Sequence, residues 1–248
     1  MGADLGVVSG QVALGSAGAG RQRDRWFFTG MAVAALLTVL AGFAPTYYLK
    51  GAFGAPPLST LVHLHGMLFT SWILLFLTQT SLIAARRTDL HRRLGIAGGV
   101  VAVLMLVVGY LTAVEAARRG MTPPGGPPPL VFLSVPLGAL VAFATLVGAG
   151  LYNRRRSETH KRLMLLATIV LLTPAIARMR FIGEGGPPVA MAGTCLFVVA
   201  CLVYDRAAHG RVHPAFLWGG LFVILSFPVR LATGRTGPWL SIAEWLTR

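Results

Sequence analysis

Apolar residues run along this chain in seven blocks, at about 26–44, 59–84, 92–114, 129–151, 161–179, 187–204 and 215–233, separated by short polar or Pro/Gly-rich breaks. A bilayer crossing needs about 20 mostly apolar residues in an α-helix, and each block meets or approaches that length. The blocks are too long for the core helices of a soluble protein. The pattern predicts an all-α integral membrane protein with seven transmembrane helices.

Composition agrees and narrows the class. Of 248 residues, 55% are hydrophobic and 12% are charged, about half the charged share of an average soluble domain. A soluble globular enzyme, a disulfide scaffold and a disordered binder are excluded. Net charge is +14, a value that in a soluble chain points to nucleic acid. Here the cations lie in short runs between apolar blocks, no soluble basic domain exists to track a backbone, and nucleic acid is not expected as a partner. Cys195 and Cys201 are six apart in one apolar block, about 9 Å apart along a helix, too far to bridge, so they read as small apolar residues.

The cations set an orientation through the positive-inside rule. Three basic residues precede the first block (Arg21, Arg23, Arg25), and four lie between blocks two and three (Arg86, Arg87, Arg92, Arg93). Five lie between blocks four and five (Arg154, Arg155, Arg156, Lys161, Arg162), and Arg206 and Arg211 between six and seven. That side carries fourteen of the 22, which predicts an N-in, C-out topology. Residues 1–25 then form a flexible cytoplasmic tail kept without a cleavable signal peptide, 26–233 the membrane domain, and 234–248 an outer interfacial tail. In that tail Trp239, Leu240, Ile242, Trp245 and Leu246 suit a short amphipathic helix. Pro136, Pro174 and Pro228 are expected to kink their helices.

The most informative motif occurs twice. Thr88-Asp89-Leu90-His91-Arg92-Arg93-Leu94 and Ser157-Glu158-Thr159-His160-Lys161-Arg162-Leu163 match position by position at an offset of 69: hydroxyl, acid, any residue, His, two bases, Leu. Each follows a basic run and a long apolar block. Residues 59–114 and 129–179 therefore read as parallel repeats, and helices 2–5 as a pseudo-twofold four-helix bundle. Thr88 and Ser157 suit N-caps, with acids in the first turn. Capping leaves the histidines unaccounted for, since a capping box places Glu or Gln there. The positive pole of a helix favours neutral imidazole, the form that ligates a metal. One such histidine per repeat, at equal depth, is the arrangement that a bis-histidine haem b requires. His91 and His160 are the candidate metal ligands, with the arginines and Lys161 as partners for haem propionates. The competing reading makes both motifs interfacial anchors whose cations snorkel to lipid phosphates.

The second block is the most polar. His65, Trp72 and Gln79 recur every seven residues, one face of a helix over about 21 Å, and such a stripe should face the bundle. His63 and His65 are two apart, about 200° around a helix, and form a poor chelate. They enter from the outer side, so a second site there needs partners from Met67, Tyr110, Glu115, Arg178, Met179, Arg180 or Arg230.

At His91-Arg92-Arg93-Leu94-Gly95, at His160-Lys161-Arg162-Leu163-Met164 with the following run to Arg178, and at His65-Gly66, the chain resembles bacterial multi-pass membrane proteins of unknown function that share these His-basic helix starts. It is also similar to b-type cytochromes built as histidine-bearing four-helix bundles. Ser134 and Phe132 stand in the fourth block where His65 and His63 stand in the second, so the resemblance implies one haem and not two. It implies residence in the bacterial cytoplasmic membrane, with His91 and His160 as haem ligands. His65, His63, Gln79 and Arg178 are further cofactor-side candidates, and a quinone near Gln79 or a membrane redox protein is the electron partner. The alternatives are a non-enzymatic accessory or assembly protein in contact with the lipid bilayer, and a transporter of small anions using Arg178, Arg180 and Arg230. The sequence assigns no catalytic residue.

Overall fold

In a computed structural model the described residues are 4–123, 125–179 and 186–248, and among them helices joined by short turns and loops are the regular structure, without strands. The helices are α1 (Asp4–Phe43), α2 (Thr60–Ala84), α3 (Thr88–Arg118), α4 (Pro129–Phe132), α5 (Ser134–Tyr152), α6 (Ser157–Ile169), α7 (Thr173–Ile176), α8 (Gly186–His209), α9 (Pro214–Gly234) and α10 (Gly237–Thr247). A five-residue π-helical turn, Ala44–Tyr48, ends α1. Seven segments are long and apolar enough to cross a membrane: Gln22–Tyr48, Thr60–Ala84, Thr88–Arg118, Pro129–Tyr152, Ser157–Ile176, Pro188–His209 and Pro214–Gly234. The chain is a multi-pass membrane protein by this measure. Helical backbone already runs from Asp4, through the residues read above as a flexible tail.

The fifth span, α6 with α7, lies at the centre. It is 56% buried, against 17–39% for the other six, and it has the lowest hydropathy, 1.2. The two facts belong together: a helix sheathed by other helices meets little lipid and carries polar residues at lower cost. Leu165, Leu166, Ala167, Ile169, Leu172 and Ala175 on it are fully buried. Around it α2 pairs with α1 and α3, α3 with α5, α5 with α6 and α9, and α8 with α7 and α9.

Packing between apolar helices in lipid depends on close approach. A Cβ on Gly42 would collide with the main chain of Ala175, so α1 crosses α7 backbone to backbone. Two of the three prolines stand beside breaks. Pro174 follows the interruption between α6 and α7, and Pro136 follows the junction at Leu133 between α4 and α5. Pro228 lies inside an α9 that continues through it. The final helix, α10, docks through the Trp239 indole, which donates to Leu130 O at 2.9 Å, and through Arg118, which donates to the carbonyls of Leu246 and Arg248.

Candidate functional site at the helix starts

The two repeated motifs begin helices at matching residues, α3 at Thr88 and α6 at Ser157. One local detail differs from the expected capping. Thr88 and Ser157 are the first helical residues, the cap positions are Arg87 and Arg156, and neither start has a side-chain cap bond. The arginines are left as caps because the preceding turns set the backbone. Helix α2 closes with Arg87 N–H donating to Leu82 O and Arg86 N–H to Ile83 O, Arg86 being left-handed at φ 60°. Each histidine thus sits at the fourth helical position, its N–H bonded to Arg87 O (3.1 Å) or Arg156 O (2.9 Å).

From these equivalent positions the imidazoles meet. Their ring centres are 6.4 Å apart and their planes are 82° to each other. His160 Nδ1 lies 2.8 Å from Gly150 O. A carbonyl only accepts, so Nδ1 donates in this bond and Nε2 is the ring's other bonding position. Gly150 belongs to the last turn of α5, whose carbonyls lack helical partners. It also admits α6 closely, since a Cβ there would stand 2.9 Å from Met164 Sδ. His91 Nδ1 is buried without a hydrogen-bond partner, as is Gln79 Oε1. Gln79 Nε2 lies 3.7 Å from where a Cβ on Gly95 would stand, one turn beyond His91. The ends of α2, α3 and α6 therefore bring together two neighbouring imidazoles and an amide with unused bonding capacity. Among the described residues no group of three or more His, Cys, Asp and Glu is gathered around a common point.

The cations beside the two histidines differ in their surroundings. Lys161 pairs with Asp24 (2.5 Å) and Glu158 (2.7 Å), and Arg162 with Glu158 (2.6 Å) and Asp205 (2.6 Å). Asp24 also accepts from Tyr204 (2.6 Å) and lies 3.0 Å from His209 Nε2. Phe28 and Phe216 cover the two cations as cation–π partners. This cluster ties α1, α6 and α8 at one end of the molecule, and of its three acids the sequence pointed only to Glu158. Asp24 is hidden among arginines, and Asp205 fell just beyond an end assigned to the sixth block at 204. An acid embedded in an apolar run is the available signal. Arg92 and Arg93 are exposed, and among the described residues neither has a carboxylate partner.

The α2 stripe faces inward. Trp72 is buried, donates to Thr168 Oγ1 at 3.2 Å and meets Phe143 edge-on. His65 stacks on Phe69 at 4.1 Å with its Nδ1 buried and unpartnered. His63 is exposed beside Tyr47, turned away from His65 as its spacing requires. Arg178 lies over Phe43, with Nη1 donating to Pro174 O at 2.9 Å. Arg230 is buried against α5, and Glu115 pairs with Arg119 at 2.7 Å. Arg178 and Arg230 thus have different neighbours, and Arg180 lies outside the described residues. No family model, curated protein or solved structure matches this chain.

Proposed function

We propose that the chain is a membrane-embedded electron-transfer protein that holds one haem b between His91 and His160. The observation that carries this reading is the close pair of imidazoles, with ring centres 6.4 Å apart. At that separation both imidazoles would lie within reach of one metal ion held through nitrogen at about 2 Å. The donor set also fits. A porphyrin supplies four nitrogens, so two histidines suffice, and the Gly150 carbonyl fixes the His160 tautomer as the outer partner of a metal-bound histidine does. His91 Nδ1 is buried with no hydrogen-bond partner in the protein, a polar atom left open for a ligand.

When bound, the haem supplies reversible one-electron chemistry at its iron. The protein's own residues do the rest. His160 is oriented by α5, and His91 by its place at the start of α3. Arg92 and Arg93 serve the propionates, a role that Lys161 and Arg162 leave to them because carboxylates hold both. Gln79, with Oε1 unpartnered, offers an acceptor to the hydroxyl of a reduced quinone, or the electron partner is another membrane protein. In this reading helices α2, α3, α5 and α6 form the pseudo-twofold bundle, N-in and C-out in the bacterial cytoplasmic membrane, with the histidine pair toward the cytoplasm.

One observation favours the accessory-protein reading instead: Lys161 and Arg162 of the second motif serve the ionic cluster that joins helices. The transporter reading asks Arg178 and Arg230 to share a route, and their neighbours differ. Reduced-minus-oxidised visible spectra of the protein purified from haem-replete cells decide between the first two. A b-type band lost in both His91→Ala and His160→Ala is the expected result. A colourless protein overturns the haem reading and leaves the histidines as helix-start anchors.

A further inference from the structure

Helices α9 and α5 leave a groove of about 580 Å³ along most of α9, lined on one side from Trp218 to Thr233 and on the other by Gly138, Val141 and Ala142. It opens to the surface: Val141, Leu225 and Val229 are 65%, 50% and 60% exposed. From residue 218 to 233 the groove follows α9 for about 22 Å, somewhat more than the roughly 15 Å depth of one leaflet's hydrocarbon. Its walls are almost wholly apolar, with Arg230 one turn from the end of α9.

Arg230 is the unusual member. Its side chain is 8% exposed. Nε donates to Ser226 O (2.9 Å), Nη2 to Ser226 Oγ (2.9 Å) and Nη1 to Val135 O (3.2 Å). These three bonds leave two of the five guanidinium N–H groups unused. Among the described residues no carboxylate lines the groove, and the side chains that bond Arg230 are neutral. Gly138 makes its position available, because a Cβ there would overlap the Arg230 side-chain carbons. An uncompensated cation within a membrane span marks a site for an anion. The apolar trough running away from it fits the tail of the same molecule.

We propose that this groove seats one anionic phospholipid of the surrounding bilayer, its phosphate on the free N–H groups of Arg230 and one acyl chain along α9. The groove is open along its length, and that suits a lipid entering sideways from the bilayer. A free inorganic anion would leave the apolar trough unused.

The test uses the full chain in nanodiscs of mixed phosphatidylglycerol and phosphatidylcholine, extracted into mild detergent, with co-purifying lipid counted by native mass spectrometry. The expected result is one retained phosphatidylglycerol, with preference over phosphatidylcholine falling about fivefold in Arg230→Gln, the factor equivalent to about 1 kcal/mol for one cation at a lipid surface. Leu225→Trp fills the trough and leaves Arg230 in place; it should release the lipid while the protein keeps its wild-type melting temperature in detergent without lipid. Arg178→Gln should retain it. Equal retention of both lipids by the wild type, unchanged preference in Arg230→Gln, or retention in Leu225→Trp would overturn the proposal. So would protection of the detergent-solubilised protein by inorganic phosphate to the same extent as by phosphatidylglycerol.

Discussion

Arg162 and Asp205 form a two-pronged ion pair in the interior, with Nη2 2.6 Å from Oδ1 and Nε 3.0 Å from Oδ2, at side-chain exposures of 2% and 0%. Arg162 Nη1 reaches Glu158, and Asp205 Oδ2 accepts the His213 N–H at 2.9 Å. One carboxylate thus joins the starts of α6 and α9 to the last turns of α8. Breaking such a pair from one side strands the other charge, at a cost of about 3–5 kcal/mol. Asp205→Asn and Arg162→Met should each lower the melting temperature sharply. The apolar pair Arg162→Met with Asp205→Leu should recover much of the loss. Thermal unfolding in detergent, followed by circular dichroism, checks the order; a double variant as unstable as the sum of the singles would contradict it.

His213 caps α9 through Nδ1, which accepts the Ala215 N–H at 3.1 Å. Burial, and then the nearby Arg162 guanidinium, hold its imidazole below the ordinary 6.5, against the opposing pull of Asp205 and Glu158. The folded state therefore binds that proton less readily than the unfolded chain. Stability from this group is complete above about pH 6.5 and is lost as pH falls toward the folded value. Melting temperatures between pH 8 and pH 5.5 should drop more steeply in the wild type than in His213→Asn, which keeps a capping acceptor and has no proton to gain. Parallel curves would remove His213 from the pH response.

Arg86 occupies the left-handed position that ends α2, where Gly120, at φ 68°, serves the corresponding turn after α3. A side chain in that region costs about 1 kcal/mol. Arg86→Gly should raise stability by about that amount, read as a higher melting temperature in detergent, provided the two turn hydrogen bonds persist.

His65 and His91 separate a one-haem protein from a two-haem protein. His65 lies on α2 fourteen residues from Gln79, about 21 Å along the helix, and is stacked on Phe69 with no second histidine beside it. His65→Ala should keep the b-type band at full intensity while His91→Ala abolishes it. A band halved by His65→Ala would instead indicate a second haem.

The seven spans were legible because lipid imposes its requirement locally: a crossing segment must be long, apolar and hydrogen-bonded to itself, whatever lies next to it. The starts of α3 and α6 were legible from the repeated motif, to within the single residue by which Thr88 and Ser157 miss the cap position. That His91 and His160 are matched was a property of the text alone. That their rings meet was not, because spacing fixes depth and says nothing of rotation about the helix axes. The stripe of His65, Trp72 and Gln79 announced an inward face, and only packing chose Thr168 as the partner of Trp72.

What the tertiary structure decided was which polar groups share a neighbourhood. The least hydrophobic span went to the centre, where other helices screen it from lipid. Asp24, Glu158 and Asp205, spread over some 180 residues of chain, came together around Lys161 and Arg162, and Arg230 was set in an apolar groove without an acid. A buried charge is tolerable only beside its counter-charge or its hydrogen-bond partners, and those are supplied by distant helices. Sequence by itself determined the crossings and the matched histidines, which are local consequences of bilayer thickness and helix periodicity. The pairing of charges belongs to the tertiary structure because it depends on how the helices rotate and approach one another.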